Sequence, residues 1–201
     1  MILLALDTSG DTLSLALYRG RKRLAHLESE AARRHSEALF PLIQKLLKSA
    51  GLTPKKIEGV AVGLGPGSFT GLRVGVTAAK VLSYALGAKL IGVSSLEAMA
   101  RSAKRDGTFA VMVDARRSRV YSAVYRRKNK KWSVTRKPEI YPREAFVNSL
   151  EPGTVILATV RATASAVAEA AFELADQDRY DDPRLLEPIY LSPKDCNVDK
   201  K

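Results

Sequence analysis

ILLALDTSGDTLSLALY, residues 2–18, reads as two β-strands joined by a tight turn. Apolar side chains fill 2–6 (ILLAL) and 12–18 (TLSLALY), and Asp7, Thr8, Ser9, Gly10 and Asp11 supply the turn chemistry between them. The pattern recurs once. Residues 109–114 (FAVMVD) again end a strand on an acidic residue, Asp114, and 119–125 (RVYSAVY) form the answering strand of a second hairpin. A strand–Asp–turn–strand opening used twice predicts an α/β fold made of two duplicated βββαβα-type lobes. The stretch SAKRDG, 102–107, is a linker candidate, which sets lobes at 1–105 and 106–201.

The intervening segments fit that plan. A third strand is expected over 23–29. Leu39, Leu42, Ile43, Leu46, Leu47 and Ala50 fall on one helical stripe within 36–50, with Ser36 as N-cap candidate and Gly51 as the stop. Pro41 disturbs that helix and predicts a kink or a later start. Strand 57–63 leads into GLGPGSFTG, 63–71, then into a helix ending at Gly87. Strand 89–93 and a helix over 94–104 complete the first half. The second continues with strand 132–136, a helix near 142–150, strand 154–160 and a helix over 163–176. The Asp- and Pro-rich tail from Asp178 is expected to have little structure of its own.

Composition narrows the function classes. With 201 residues, 46% of them hydrophobic, the chain is long enough for a real core. It contains no run of about 18 apolar residues, so no membrane span is expected. The short apolar N-terminus lacks a basic leader and meets Asp7 at once, which reads as a strand and not a signal peptide. One cysteine, Cys196, excludes a disulfide framework and fits the reducing cytoplasm. Only two histidines, His26 and His35, argue against a His/Cys zinc site. A net charge of +12 is compatible with attraction to phosphate backbones or with an ordinary basic surface.

Three local patterns carry chemistry. The glycine-dense loop 63–71 opens a helix, where backbone amides and the helix dipole attract anions, yet it lacks the lysine of a Walker loop. Asp7-Thr8-Ser9 with Gly65, Gly67 and Ser68 form a candidate phosphate loop, or else a structural turn. In the following helix Gly71, Gly75, Ala78 and Ala79 line one face with almost no bulk. That face admits close approach of the chain's own sheet or of another helix. Val74, Val76, Val81 and Leu82 make the helix apolar nearly all round, which argues for burial on two sides. The basic run Arg126, Arg127, Lys128, Lys130 and Lys131 lies between Tyr125 and Trp132, a solvated turn or a nucleic-acid contact. Arg116, Arg117 and Arg119 in the adjacent turn would extend it. His35 has no nucleophile at a recognisable spacing.

LALDTSGDTLSLAL (4–17), RRHSEALFPLIQKLL (33–47), GLGPGSFTGLRVGVTAAKVLSYAL (63–86), GVSSLEAMA (92–100), VDARRSRVYSAVY (113–125) and LEPIYLSPKD (186–195) resemble the TsaB family, also called YeaZ. The resemblance runs the length of the chain in order. It implies an actin-like ATPase (ASKHA) fold and a non-catalytic subunit that activates TsaD. TsaD is the enzyme that transfers threonylcarbamoyl to adenosine 37 of tRNAs reading ANN codons. TsaE is the further implied partner, with tRNA reached through the complex and a homodimer formed when TsaD is absent. ATP and metal are then used by the partner proteins and no cofactor is the chain's own. Ser95 and Met99 stand where TsaD carries its two metal-binding histidines, and both are poor ligands for such metals. In actin-like ATPases an aspartate placed like Asp7 helps hold a nucleotide's metal. The implied partner surface is Leu39, Leu42, Ile43 and Leu46 of one helix with Gly71, Val74, Gly75, Ala78 and Ala79 of the other. Two positions depart from the family: Arg119 replaces an acidic residue, and Ala158-Thr159-Val160-Arg161-Ala162 replaces a glycine-rich turn. The rival reading is a catalyst, a kinase or a metalloprotease. A protease needs ligands this chain lacks, and a kinase needs an adenosine-side glycine motif that 154–170 does not contain.

Overall fold

The computed structural model describes residues 1–30 and 34–191; Arg33, Cys196 and the last part of the 186–195 motif lie outside them. The described residues form two compact units, one within 1–102 together with 161–189, the other 103–160 with 190 and 191.

The first unit is built on a five-stranded sheet in the order β3-β2-β1-β4-β5. β1 (Ile2–Asp7) pairs antiparallel with β2 (Leu13–Arg19), and β2 with β3 (Lys22–Ser29). β4 (Gly59–Gly63) lies parallel to β1, and β5 (Lys89–Val93) parallel to β4. Because side chains alternate across a strand, Leu4, Leu6, Leu13, Leu15, Leu17, Val60 and Val62 share one face. They form the main core with Leu39, Ile43, Leu46 and Leu47 of α1 (His35–Ser49) and Val76 and Ala79 of α2 (Phe69–Leu86). Pro41 is carried inside α1, and Arg34, not Ser36, stands at its N-cap without a side-chain bond. At α2, Ser68 caps the N-terminus and Gly87 the C-terminus in the left-handed conformation that glycine adopts freely.

The sheet's other face is equally apolar, and one helix late in the chain covers it. α5 (Ala164–Ala175) presents Val167, Ala168, Ala171 and Phe172, packs on β1, β2, β4 and β5, and sets Phe172 edge-on to Tyr18. The short α3 (Ser95–Ala100) is tied to it through Arg101. This buried guanidinium binds Glu97 at 2.7 Å and Glu173 at 2.8 Å. The expectation that everything beyond 105 forms the second lobe is therefore corrected: 161–189 belongs to the first unit. A sheet buried on both faces needs helices on both, and α1 and α2 supply only one side.

The segment expected to lack structure is held at several points. Asp181 bridges Leu90 of β5 and accepts the Gly92 amide at 2.7 Å, the Ile189 amide donates to Leu64 at 2.8 Å, and Leu186 enters the core.

The second unit has a four-stranded sheet, β8-β7-β6-β9. β6 (Gly107–Asp114), β7 (Arg119–Lys128) and β8 (Lys131–Pro142) are antiparallel, and β9 (Val155–Leu157) runs parallel to β6. α4 (Arg143–Asn148) packs Phe146 on Ala110, Met112, Val120 and Val124. Each unit thus opens with three antiparallel strands, passes through a helix and adds a strand parallel to the first, so the βββαβ part of the expected plan is duplicated, while the helix expected to close the second lobe, α5, belongs to the first unit.

Candidate functional site

β1 delivers Asp7 to the start of the glycine loop, where the carboxylate is wholly enclosed. Its Oδ1 accepts the Ser9 amide at 2.9 Å and the Ser9 hydroxyl at 2.6 Å; its Oδ2 accepts the Ser95 hydroxyl at 2.8 Å. Ser95 Oγ in turn accepts the Gly65 amide at 3.0 Å. The Ser68 amide donates to the Ser9 carbonyl at 2.7 Å, and Thr8 Oγ1 donates to the Gly71 carbonyl at 2.7 Å. The contacts are so close that a β-carbon on Gly67 would overlap the Ser9 carbonyl, and one on Gly71 the Thr8 carbonyl. The structure therefore brings Asp7, Thr8, Ser9, Gly65, Gly67 and Ser68 together, but it turns Asp7 inward onto this chain's own donors. Ser95, the position implied to have lost a metal-binding histidine, has become the link between β1, the glycine loop and α3. Among the described residues no three His, Cys, Asp or Glu side chains converge as a metal-holding group.

Burial pushes the Asp7 carboxyl above the usual aspartate range, and the hydrogen bonds from Ser9 and Ser95 with the nearby His35 ring oppose it only in part. The stabilising contribution of the protonated form is fully present below the unfolded value of about 4 and is lost as pH rises through the folded value. Asp7→Asn cannot ionise. Its stability relative to the parent, read as the difference in urea midpoint, should rise between pH 4 and pH 7. A difference independent of pH would show that ionised Asp7 is no burden to the fold.

Beside this network lies a cleft of about 340 Å³, lined by Gly10, Asp11, His35, Ser36, Ser68, Thr70, Gly71 and Val74. His35 Nε2 lies 3.1 Å from the Gly10 carbonyl, so the histidine ties the β1–β2 turn to the start of α1.

The implied partner surface needs correction. Leu39, Ile43 and Leu46 are at most 3% exposed, and Gly71, Gly75, Ala78 and Ala79 are also buried; all serve the unit's own core. Leu42 and Val74 are half-buried. The small face of α2 exists to let the β1–β2 turn approach, since a β-carbon on Gly75 would overlap Thr8 Oγ1. The apolar groups that these helices do present outward are Phe40 on α1 and Phe69, Val81 and Tyr84 on α2. The α2 set falls near i, i+12 and i+15, with Arg73 and Thr77 between, which is one continuous helical stripe. Arg73 stacks over the Phe69 ring at 4.0 Å. Sequence periodicity had selected the stripe with the strongest hydrophobic pattern, and that stripe is the inward one.

The basic run is likewise rearranged. Asn129 and Lys130 form a two-residue hairpin turn with φ of 50° and 65°, so the run has almost no loop. Alternation puts Arg127 beside Trp132, its guanidinium 5.8 Å from the ring centroid, and Arg126 on the opposite face against Thr108 and Glu151. Arg116, Arg117 and Arg119 do not extend this cluster. They sit at the far end of β7, about 30 Å away at the usual strand rise. Of the departures, Arg119 is half-buried with an Nε that finds no partner among the described residues, and Arg161 donates to Thr12 at 2.9 Å.

This fold, with its inward-turned aspartate and glycine loop, defines an actin-like chain. The model of the family described as TsaD: tRNA N6-adenosine threonylcarbamoyltransferase matches residues 28–173. The chain belongs to that family, and proteins named TsaB are among the curated relatives it resembles. It is 38% identical over 130 residues to tRNA threonylcarbamoyladenosine biosynthesis protein TsaB of Bacillus subtilis, covering 64% of this chain and 57% of that one. With the protein of the same name from Escherichia coli it shares 40% over 130 residues, covering 63% and 56%. The chain thus spans less than three fifths of the length of these curated relatives. YeaZ from Pseudomonas aeruginosa has the same fold, with a TM-score of 0.84 at 24% identity over 94% of this chain and 99% of that one.

Proposed function

We propose that this chain is a non-catalytic subunit of a cytoplasmic tRNA-modifying assembly, one that activates a TsaD-type enzyme in threonylcarbamoylation of adenosine 37. TsaE joins through that enzyme, which together with TsaE supplies the ATP and metal chemistry. The observation that carries this reading is the outward stripe of Phe69, Val81 and Tyr84 on α2, beside an Asp7 already consumed by Ser9 and Ser95. A large aromatic 83% exposed on a long apolar helix is what a helix-packing interface looks like before its partner arrives. In this proposal α1 and α2 meet an equivalent helix pair, of the enzyme or of a second copy of this chain when the enzyme is absent. The inward residues Leu39, Ile43, Leu46 and Gly75 only support that surface.

Tyr84→Arg together with Val81→Arg should leave the circular dichroism spectrum unchanged, since both side chains are more than half exposed. The same variant should weaken association at least tenfold, because two charges would have to be desolvated in the seam. Light scattering, alone and with the TsaD-type enzyme, reads the association, and reconstituted tRNA modification reads the activation. A variant that still binds and still activates would place the interface elsewhere. Unchanged modification when the parent chain is left out would end the activator reading.

A further inference from the structure

The positive charge of this chain is segregated. Residues 103–160 hold thirteen Lys and Arg against five Asp and Glu, a surplus of eight, while the other 143 residues share the remaining four of the net +12. This segment is nearly the whole of the second unit.

Within it the exposed cations gather at two poles. At the β7–β8 hairpin tip stand Lys128, Lys130 and Lys131, with Arg126 just behind. At the β6–β7 turn stand Arg116 and Arg117, joined by Arg143, whose amide donates to the Ser118 carbonyl at 2.9 Å. They border an open cleft of about 1100 Å³ that also includes Asp114 and Glu144. Among the described residues none of Lys128, Lys130, Lys131, Arg116, Arg117 and Arg143 forms an ion pair; Arg126 alone has one, with exposed Glu151 at 3.8 Å. β8, an edge strand of twelve residues, runs back from the first pole to the second and carries exposed Lys137 between them.

We propose that this edge of the second unit is a track for the phosphate backbone of tRNA, gripped at both poles. The proposal rests on the reading that the chain works in a tRNA-modifying assembly. Unpaired cations at the ends of a span of about 30 Å suit a polymer whose charges recur every few ångströms better than they suit one small anion. Arginine and lysine on a rigid sheet edge supply position and affinity without reading sequence, as a subunit serving several tRNAs requires.

The test uses the full chain and an unmodified tRNA transcript, with affinity measured across a salt series. A tip variant (Lys128→Gln, Lys130→Gln, Lys131→Gln) and a turn variant (Arg116→Gln, Arg117→Gln, Arg143→Gln) keep the side-chain stems. If each pole makes two phosphate contacts, each variant lowers the magnitude of the log–log salt slope by roughly 1.4–1.8, and their combination by roughly 2.8–3.6. Lys55→Gln with Lys56→Gln, exposed on the first unit, should leave the slope as it was. Pole variants that behave like this control overturn the track, as does a combined variant no weaker than the tip variant alone. Unchanged tRNA slopes with lost enzyme binding would identify an acidic protein surface as the occupant instead. The two readings fail separately: a chain that binds tRNA at both poles but leaves modification unaffected loses only its activator role.

Discussion

Gly75→Leu is expected to destabilise the first unit by about 3 kcal/mol, the upper end for overpacking a well-filled core. A β-carbon at this position would already overlap Thr8 Oγ1 and would lie 3.3 Å from Thr8 Cβ and 3.4 Å from Leu6 Cδ1. All three are side-chain atoms, but both side chains are enclosed and have little room to give way. Thr8 is wholly buried and spends its hydroxyl on the Gly71 carbonyl, while Leu6 belongs to the central strand. A leucine can enter only by lifting α2 from the β1–β2 turn, which breaks that hydrogen bond and the packing along the helix. A double-mutant cycle gives the decisive reading. Gly75→Ala should be destabilising alone, and Thr8→Ala should recover much of the loss, because the overlapping oxygen is then gone. Strictly additive effects in chemical unfolding would mean that Thr8 is not what glycine accommodates.

Leu46→Arg should be still more damaging, about 3–5 kcal/mol, the range for a buried charge left without a partner. Leu46 is 2% exposed within the cluster of Leu4, Leu15, Leu17 and Leu39. Arginine often escapes such a place by extending its stem to the surface, so the estimate supposes that α1 stays seated on β2 and β3. The whole stability of a domain is about 5–15 kcal/mol, and thermal unfolding should show a broad or absent transition. A cooperative transition near that of the parent would show that the position has a route to solvent. Taken with Tyr84→Arg, the experiment separates the two faces of the helix pair: one side unfolds the protein, the other only isolates it.

Much of the architecture was legible because it follows from alternation and periodicity. The two strand–Asp–turn–strand openings and the Gly87 stop appear where the pattern puts them. Distance along the chain was what the pattern did not carry. α5 follows β9 in sequence yet serves the first sheet, and nothing local in 164–175 says which apolar face it will cover. The same limit put residues of the unit's own core on the implied partner surface. A stripe of Leu39, Leu42, Ile43 and Leu46 announces burial, but not whether the burying surface is intramolecular. The exposed stripe was weaker in pattern, since Phe69, Val81 and Tyr84 are separated by Arg73, Thr77 and Lys80. Asp7 was found as a residue of interest, but its isolation from solvent depends on Ser95, 88 positions away.

The strap at 180–189 governs how this protein is able to aggregate. β5 is an outer strand, and its Leu90 and Gly92 would otherwise offer a ready template to any extended chain. Asp181 occupies that template with a backbone bridge and a carboxylate, while Leu186 anchors the segment in the core. The opposite border, β3, relies on exposed Lys22, Arg23 and His26 for its protection. Both borders of the first sheet are thus guarded against augmentation, which leaves helix packing as the open route for the proposed assembly. A shortened chain ending before Asp181 would keep every residue of the proposed partner surface and still become adhesive at the wrong place.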